Sequence, residues 1–164
     1  MNKVSVKDIT ISIPVYPVGA PEKLPVFAEN RVHQRMSGNP YPNAVTADVR
    51  ASDKPERREL RAVVIENDYI RVTVLPEYGG RVFSAEDKTT GRDFLYRQHV
   101  IKPALIGLLG PWISGGIEFN WPTHHRPSTF LPTDVTIEED EHESVVWLTS
   151  SDVFDRMTGS VGIA

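Results

Sequence analysis

The chain contains no cysteine among its 164 residues. That absence removes disulfide scaffolds, thiol nucleophiles, iron–sulfur clusters and cysteine-ligated zinc from consideration. It also fits a cytoplasmic protein. Long apolar runs are missing too. The longest, from Ala104 to Trp112, is broken by Gly107, Gly110 and Pro111, well short of the roughly 18–20 residues a spanning helix needs. Met1 to Lys7 carry no apolar core of a secretory signal, so neither export nor a membrane partner is expected. An excess of positive charge is lacking: 18 Lys and Arg against 22 Asp and Glu leave a net charge of −4. Without a basic field, nucleic acid is not an expected partner. Finally, 13 prolines and 11 glycines spread along the chain leave few windows where a long helix would survive.

What is present reads as β-structure. From Ile9 to Ile13 apolar and polar residues alternate with period two, the pattern of a half-buried strand. Pro14, Pro17, Pro21 and Pro25 then mark an extended segment that cannot be a central strand. Residues 28–59 are polar, with Ser37-Gly38-Asn39-Pro40 and Pro42-Asn43 as loop signals. The charged stretch from Lys54 to Arg61 reads as a solvated strand edge, with a helical turn as the alternative. The clearest pair follows: Arg61 to Glu66, the turn residues Asn67-Asp68, then the alternating Tyr69 to Leu75. Pro76 ends that strand, and Gly79-Gly80 bend the chain into Arg81 to Asp87. Lys88 to Asp93 make a turn, and Phe94-Leu95-Tyr96 resume an apolar strand. Val135 to Ile137 and Ser144 to Thr149 form another hairpin across the acidic run Glu138 to Glu141, read as a solvated turn. Strands at this spacing predict an all-β fold, an antiparallel β-sandwich with long Pro- and Gly-rich loops. The division expected is an N-terminal strand and proline-rich segment over 1–60, then sandwich over 61–164. Gly159 to Ala164 read as the opening of a further strand with no closing turn, so the sandwich is expected to be incomplete at its C-terminus. An unpaired sheet edge would favour a homo-oligomer.

One segment differs from the rest. Between Trp112 and Arg126 the chain gathers Glu118, Asn120, Trp121, His124 and His125, bracketed by Gly110-Pro111, Gly115-Gly116, Pro122 and Pro127. Tight loops carrying aromatics and hydrogen-bonding groups suit carbohydrate, because sugar C–H faces stack on Trp while amide, carboxylate and guanidinium groups pair with hydroxyls. The bland alternative makes Trp112 and Trp121 core or hinge aromatics. A histidine here can act as general acid or hydroxyl partner, since imidazole titrates near neutrality. A metal is not expected: adjacent histidines on an extended strand point to opposite faces, and nothing resembles HExxH. Glu118 alternates with Ile117 and Phe119, so it faces away from them as a site carboxylate or a salt-bridge partner. Arg81, opening a strand after Gly79-Gly80, is either a sugar-binding guanidinium or a buried ion-pair partner. The Gly79-Gly80 bend is no phosphate loop, and no GxSxG is present.

Leu75-Pro76-Glu77-Tyr78-Gly79-Gly80-Arg81-Val82 and Asp87-Lys88-Thr89-Thr90-Gly91-Arg92-Asp93-Phe94-Leu95-Tyr96 resemble the opening strands of the galactose-mutarotase-like supersandwich. Together with Trp112-Ile113-Ser114-Gly115-Gly116-Ile117-Glu118-Phe119-Asn120-Trp121-Pro122 and His124-His125, the chain is most similar to one branch. That branch is a bacterial domain family of unknown function found ahead of tetratricopeptide repeats. The resemblance covers residues 60–164. It implies a carbohydrate partner, and a C-terminal repeat domain in the full-length protein. In the superfamily's aldose epimerases a His is general acid and a Glu general base. By resemblance Arg81 faces substrate, and His124 or His125 occupies the loop bearing the acid. The position of the base falls beyond Ala164. The resulting expectation is a carbohydrate-binding domain, epimerase-like or glycosidase-like if catalytic, with no cofactor and no metal. Its candidate catalytic residues are His124, His125 and Glu118, and its candidate binding residues are Arg81, Trp112, Asn120, Trp121 and Arg126. The alternative is a non-catalytic interaction module that packs on helical repeats or on a second copy.

Overall fold

The structure is a computed structural model that describes residues 4–20, 26–27, 40–41, 49, 51–105, 111–121, 129–152 and 157–164. Its strands, in chain order, are β1 (Ser5–Val15), β2 (Val26–Phe27), β3 (Pro40–Tyr41), β4 (Glu56–Glu66), β5 (Ile70–Leu75), β6 (Arg81–Asp87) and β7 (Arg92–Asp93). They continue with β8 (Ala104–Leu105), β9 (Pro111–Trp112), β10 (Asp134–Glu139), β11 (Ser144–Ser151) and β12 (Thr158–Ile163). Among the described residues the only helical piece is a 3-10 turn at Pro76–Tyr78. The fold is an all-β antiparallel sandwich. One sheet runs β1-β4-β5-β6-β7 and the other β10-β11-β12, with β2-β3 and β8-β9 as two-residue pairs.

Alternation in the sequence becomes the two faces of the larger sheet. Ile9 and Ile11 of β1 lie opposite Ala62 and Leu60 of β4, and directly opposed side chains share a face. That face carries one apolar cluster, in which Ile13, Val15, Leu60, Ala62 and Leu75 meet Tyr78, Ile101 and Ile113. The other face carries Val63, Ile65, Val74 and Val82, which pack against Val146 and Leu148 of β11. The run Ala62-Val63-Val64-Ile65 is therefore buried on both sides, and each such Val, Leu or Ile contributes about 1.5–3 kcal/mol on burial.

The turns follow local chemistry. Asn67 Oδ1 accepts the amides of Tyr69 and Ile70, each at 2.8 Å, and closes β4 on β5. Asp87 does the same for β6 and β7, accepting Thr89 N–H at 2.8 Å and the Thr89 hydroxyl at 2.6 Å. Asp140 Oδ1 takes the amides of His142 and Glu143 at 2.6 and 2.8 Å, so the acidic run is a turn with β10 extending through Glu139.

Three segments refine the sequence reading. Residues 56–61 are strand and not helix, exposed except for Leu60, and pair along their length with Thr10 to Val15 of β1. Pro14 lies inside β1. Phe94-Leu95-Tyr96 is not a regular strand. Leu95 packs on the sandwich core, while Phe94 and Tyr96 are 58% and 70% exposed. Lastly, β1 from the N-terminal segment belongs to the same sheet as β4 to β7.

Candidate functional site

The site is built from β6 and the stretch 111–121. Gly79 and Gly80, at φ 71° and 64°, turn the chain out of the 3-10 turn so that β6 starts at Arg81. Left-handed backbone of this kind is strained for any residue with a Cβ. The register between β5 and β6 slips at Thr73/Val74, setting Arg81 opposite Leu75 and Val82 opposite Val74. Arg81 is thereby only 2% exposed. Its Nη1 donates to the Gly115 carbonyl, and its Nη2 donates to Glu118 Oε2 at 3.2 Å. Burial pushes the Arg81 pKa below the usual arginine value, and the Glu118 charge pulls the other way.

A second double glycine delivers Glu118. Gly115 and Gly116 have φ 90° and 70°. The Gly116 amide donates to Tyr96 O at 2.7 Å, and Ile117 exchanges both backbone hydrogen bonds with Val82 at 2.9 and 3.0 Å. A Cβ on Gly116 would sit 2.1 Å from the Val82 carbonyl oxygen. Only glycine fits there. Ile117 docks on β6 through its backbone, and Glu118 follows beside the guanidinium. The Glu118 carboxylate then gathers three donors: Arg81 and Trp112 Nε1 (2.8 Å) on Oε2, and Asn120 Nδ2 (3.2 Å) on Oε1.

Four of the residues singled out in the sequence therefore meet at one carboxylate: Arg81, Trp112, Glu118 and Asn120. Trp121 goes elsewhere. It packs on β12 so tightly that a Cβ on Gly159 would lie 2.7 Å from its ring. The cavity beside it, about 20 Å³, holds no more than a water. His124, His125 and Arg126 lie outside the described residues. What sequence reasoning missed is the carbonyl of Gly115 as partner of Arg81, and the need for Gly116 at the contact with Val82; the double glycine was the available signal.

An open groove of about 520 Å³ runs over the face of the larger sheet that β11 does not cover. Ile9, Ile11 and Ile13 form one side, with Phe83, Asp93 and Arg97 on the other. None of Arg81, Trp112, Glu118, Asn120 or Trp121 is among the described residues that line it. The two regions adjoin, because Arg97 bridges to Gly115 through its backbone while its guanidinium lies 5.5 Å over the Phe83 ring. Among the described residues, no three His, Asp or Glu side chains gather as a metal would require. No helix among them is long and apolar enough to cross a membrane.

A family model described as "Domain of unknown function (DUF5107)" matches residues 38–164. The chain belongs to this family. Within this DUF5107 domain the match takes in β6, both double glycines and every candidate site residue. The fold is similar to the crystal structure of a TPR-domain containing protein from Parabacteroides distasonis ATCC 8503, with a TM-score of 0.72 and 21% sequence identity. The similarity covers 93% of this chain and 25% of that one, so the chain spans about a quarter of that protein's length.

Proposed function

We propose that the chain is a carbohydrate-binding β-sandwich unit of mutarotase-like type, with its ligand held over the Glu118 cluster. The observation that carries this reading is the convergence of an indole, an amide and a guanidinium on one carboxylate. Arg81 is too deeply buried to grip a ligand. Its part is to hold Glu118 in place, a positioning role. Glu118 and Asn120 supply hydroxyl-pairing groups and Trp112 an aromatic wall. In this proposal His124, His125 and Arg126 complete the site from the following loop, and either histidine is the acid of any epimerase-like or glycosidase-like chemistry in the longer protein. Glu118, already the acceptor of three hydrogen bonds, serves as acceptor and not as proton donor.

A second reading rests on a different observation. The structurally similar protein is TPR-domain containing, and the match covers 25% of its length. That favours a module that packs on helical repeats, with the Glu118 cluster as internal bracing. Calorimetric titration with monosaccharides, glucose and galactose first, separates the two. Saturable binding that weakens about tenfold or more in Asn120→Ala, and survives in Trp121→Phe, supports the site. No heat with any sugar from a folded chain overturns it in favour of the module.

A further inference from the structure

The smaller sheet packs on the core through Val135, Val146, Leu148 and Ile163, so the residues between them alternate to its outer face. The register of β10, β11 and β12 runs without a slip and sets Trp147 opposite Gly162, Thr149 opposite Ser160 and Ser151 opposite Thr158. Trp147 and Thr149 are half-buried, and the other four are exposed. The indole lies over β12. A Cβ on Gly162 would stand 2.9 Å from ring carbon Cζ3 and 3.1 Å from both its neighbours, Cε3 and Cη2. Distances so nearly equal arise over the face of a ring and not at its edge. Trp147 Nε1 donates to Glu138 Oε2 at 2.9 Å, which fixes the ring in its plane. Covering a glycine takes up one face of the indole. The opposite face points away from the strands, and Trp147 belongs to neither core cluster. Beside it the hydroxyls of Thr149 and Ser160 join at 2.7 Å, and those of Ser151 and Thr158 at 2.8 Å. A hydroxyl has one donor and two acceptor sites, so each joined pair still offers both kinds to a ligand.

From this arrangement we infer that the outer face of β10–β12 is a glycan-binding surface, separate from the Glu118 cluster. Trp147 stacks one sugar ring, and the two hydroxyl pairs bond the units that follow. The inference stands on this geometry and not on the Glu118 reading. Charge selects the occupant. Asp134 and Glu138 give the face two carboxylates, and the three strands contain no Lys, Arg or His. Such a face repels phosphate-bearing ligands. A protein partner would meet an apolar centre in a contact surface, whereas here one indole is set among hydroxyls. A neutral chain of sugars matches both parts, its C–H faces on the ring and its hydroxyls on the pairs. Outward positions recur along a strand about every 7 Å, so Trp147 to Ser151 span about 14 Å, room for more than one sugar unit.

The test is calorimetry on the full chain with cellohexaose and maltohexaose, neutral hexasaccharides of extended and of curved shape. The expected result is saturable binding of at least one of them, weakened about tenfold or more by Trp147→Ala. That binding persists in Asn120→Ala, which impairs the Glu118 site; circular dichroism checks that each variant is folded. Because Trp147→Ala also bares Gly162, the native chain supplies a second measurement. In NMR titration the hexasaccharide should shift the Trp147 indole N–H and the amides of Thr149, Thr158 and Ser160. Shifts confined to the residues about Glu118, or binding that is lost in Asn120→Ala, overturn the surface and leave the Glu118 site standing. Shifts at Trp147 with none about Glu118 support the surface and count against the Glu118 site. No binding of either hexasaccharide overturns the surface, whatever the monosaccharides do. Self-association of the native chain that Trp147→Ala abolishes also overturns it, assigning the face to contact between copies.

Discussion

The Arg81–Glu118 pair sits in the interior, and its energetics follow from what each removal leaves behind. Glu118→Ala strips a 2% exposed arginine of its carboxylate, and an uncompensated buried charge costs about 3–5 kcal/mol. Urea unfolding should show that loss. Arg81→Met combined with Glu118→Leu should recover most of it, because an apolar pair asks for no desolvation of charge. Equal losses in the single and double variants would sink this account. The glycines make a sharper contrast. Gly91 and Gly116 have nearly the same φ, 65° and 70°, yet a Cβ at Gly91 meets nothing within 4 Å while one at Gly116 meets a backbone oxygen at 2.1 Å. Gly91→Ala should cost only the left-handed penalty, about 1–2 kcal/mol. Gly116→Ala should cost clearly more and disturb the Val82–Ile117 pairing, visible as faster amide exchange at both residues. Similar losses at the two sites would refute the role given to close approach. At this scale the sequence held both readings of Arg81 at once. Its partner lies 37 residues along the chain, a distance that no local pattern encodes.

Elements whose partners are local were the more legible ones. The β4–β5 and β10–β11 hairpins could be read from alternation joined to Asn and Asp turn chemistry. The segment 92–96 could not. Its aromatics look like strand residues by composition, but only Leu95 has a core to face, and period-two reading cannot tell an absent second layer from a present one. The turns themselves predict a pH dependence. Hydrogen bonds from Thr89 and Thr90 hold the Asp87 pKa below the ordinary aspartate value, and the Glu143 and His142 amides do the same for Asp140. A carboxylate with a lowered folded pKa stabilises fully above its unfolded value. That contribution fades as pH falls from the ordinary aspartate range, about 3.9, through the lower folded value. Carbon-detected NMR titration should find both midpoints below that of an unstructured aspartate, with amide protection at Thr89 and Glu143 fading over the same window. Asp140→Asn, which keeps an acceptor oxygen, should preserve its turn and abolish its share of the effect. Midpoints at the ordinary value would contradict the turn geometry.

At the scale of the whole molecule, the outer edge of the smaller sheet leads to a prediction about self-association. Among the described residues β12 is hydrogen-bonded on one side, to β11. Two indoles pack closely on it, Trp121 on Gly159 and Trp147 on Gly162. The hydroxyls of Thr149 and Ser160, and of Ser151 and Thr158, join at 2.7 and 2.8 Å. No proline or lysine lies within Thr158–Ile163 to blunt the outer edge. An uncharged edge of this kind can pair with its own copy about a two-fold axis, which would join two three-stranded sheets into one. Sedimentation velocity should therefore show a concentration-dependent dimer. Ser160→Lys puts a like charge on both copies at an exposed position in mid-strand, gives up the Ser160–Thr149 hydroxyl contact, and should shift the population to monomer. A dimer indifferent to Ser160→Lys would move the contact away from β12, to β1 or to the exposed Phe94 and Tyr96. A monomer at every concentration would mean that this edge is closed in solution.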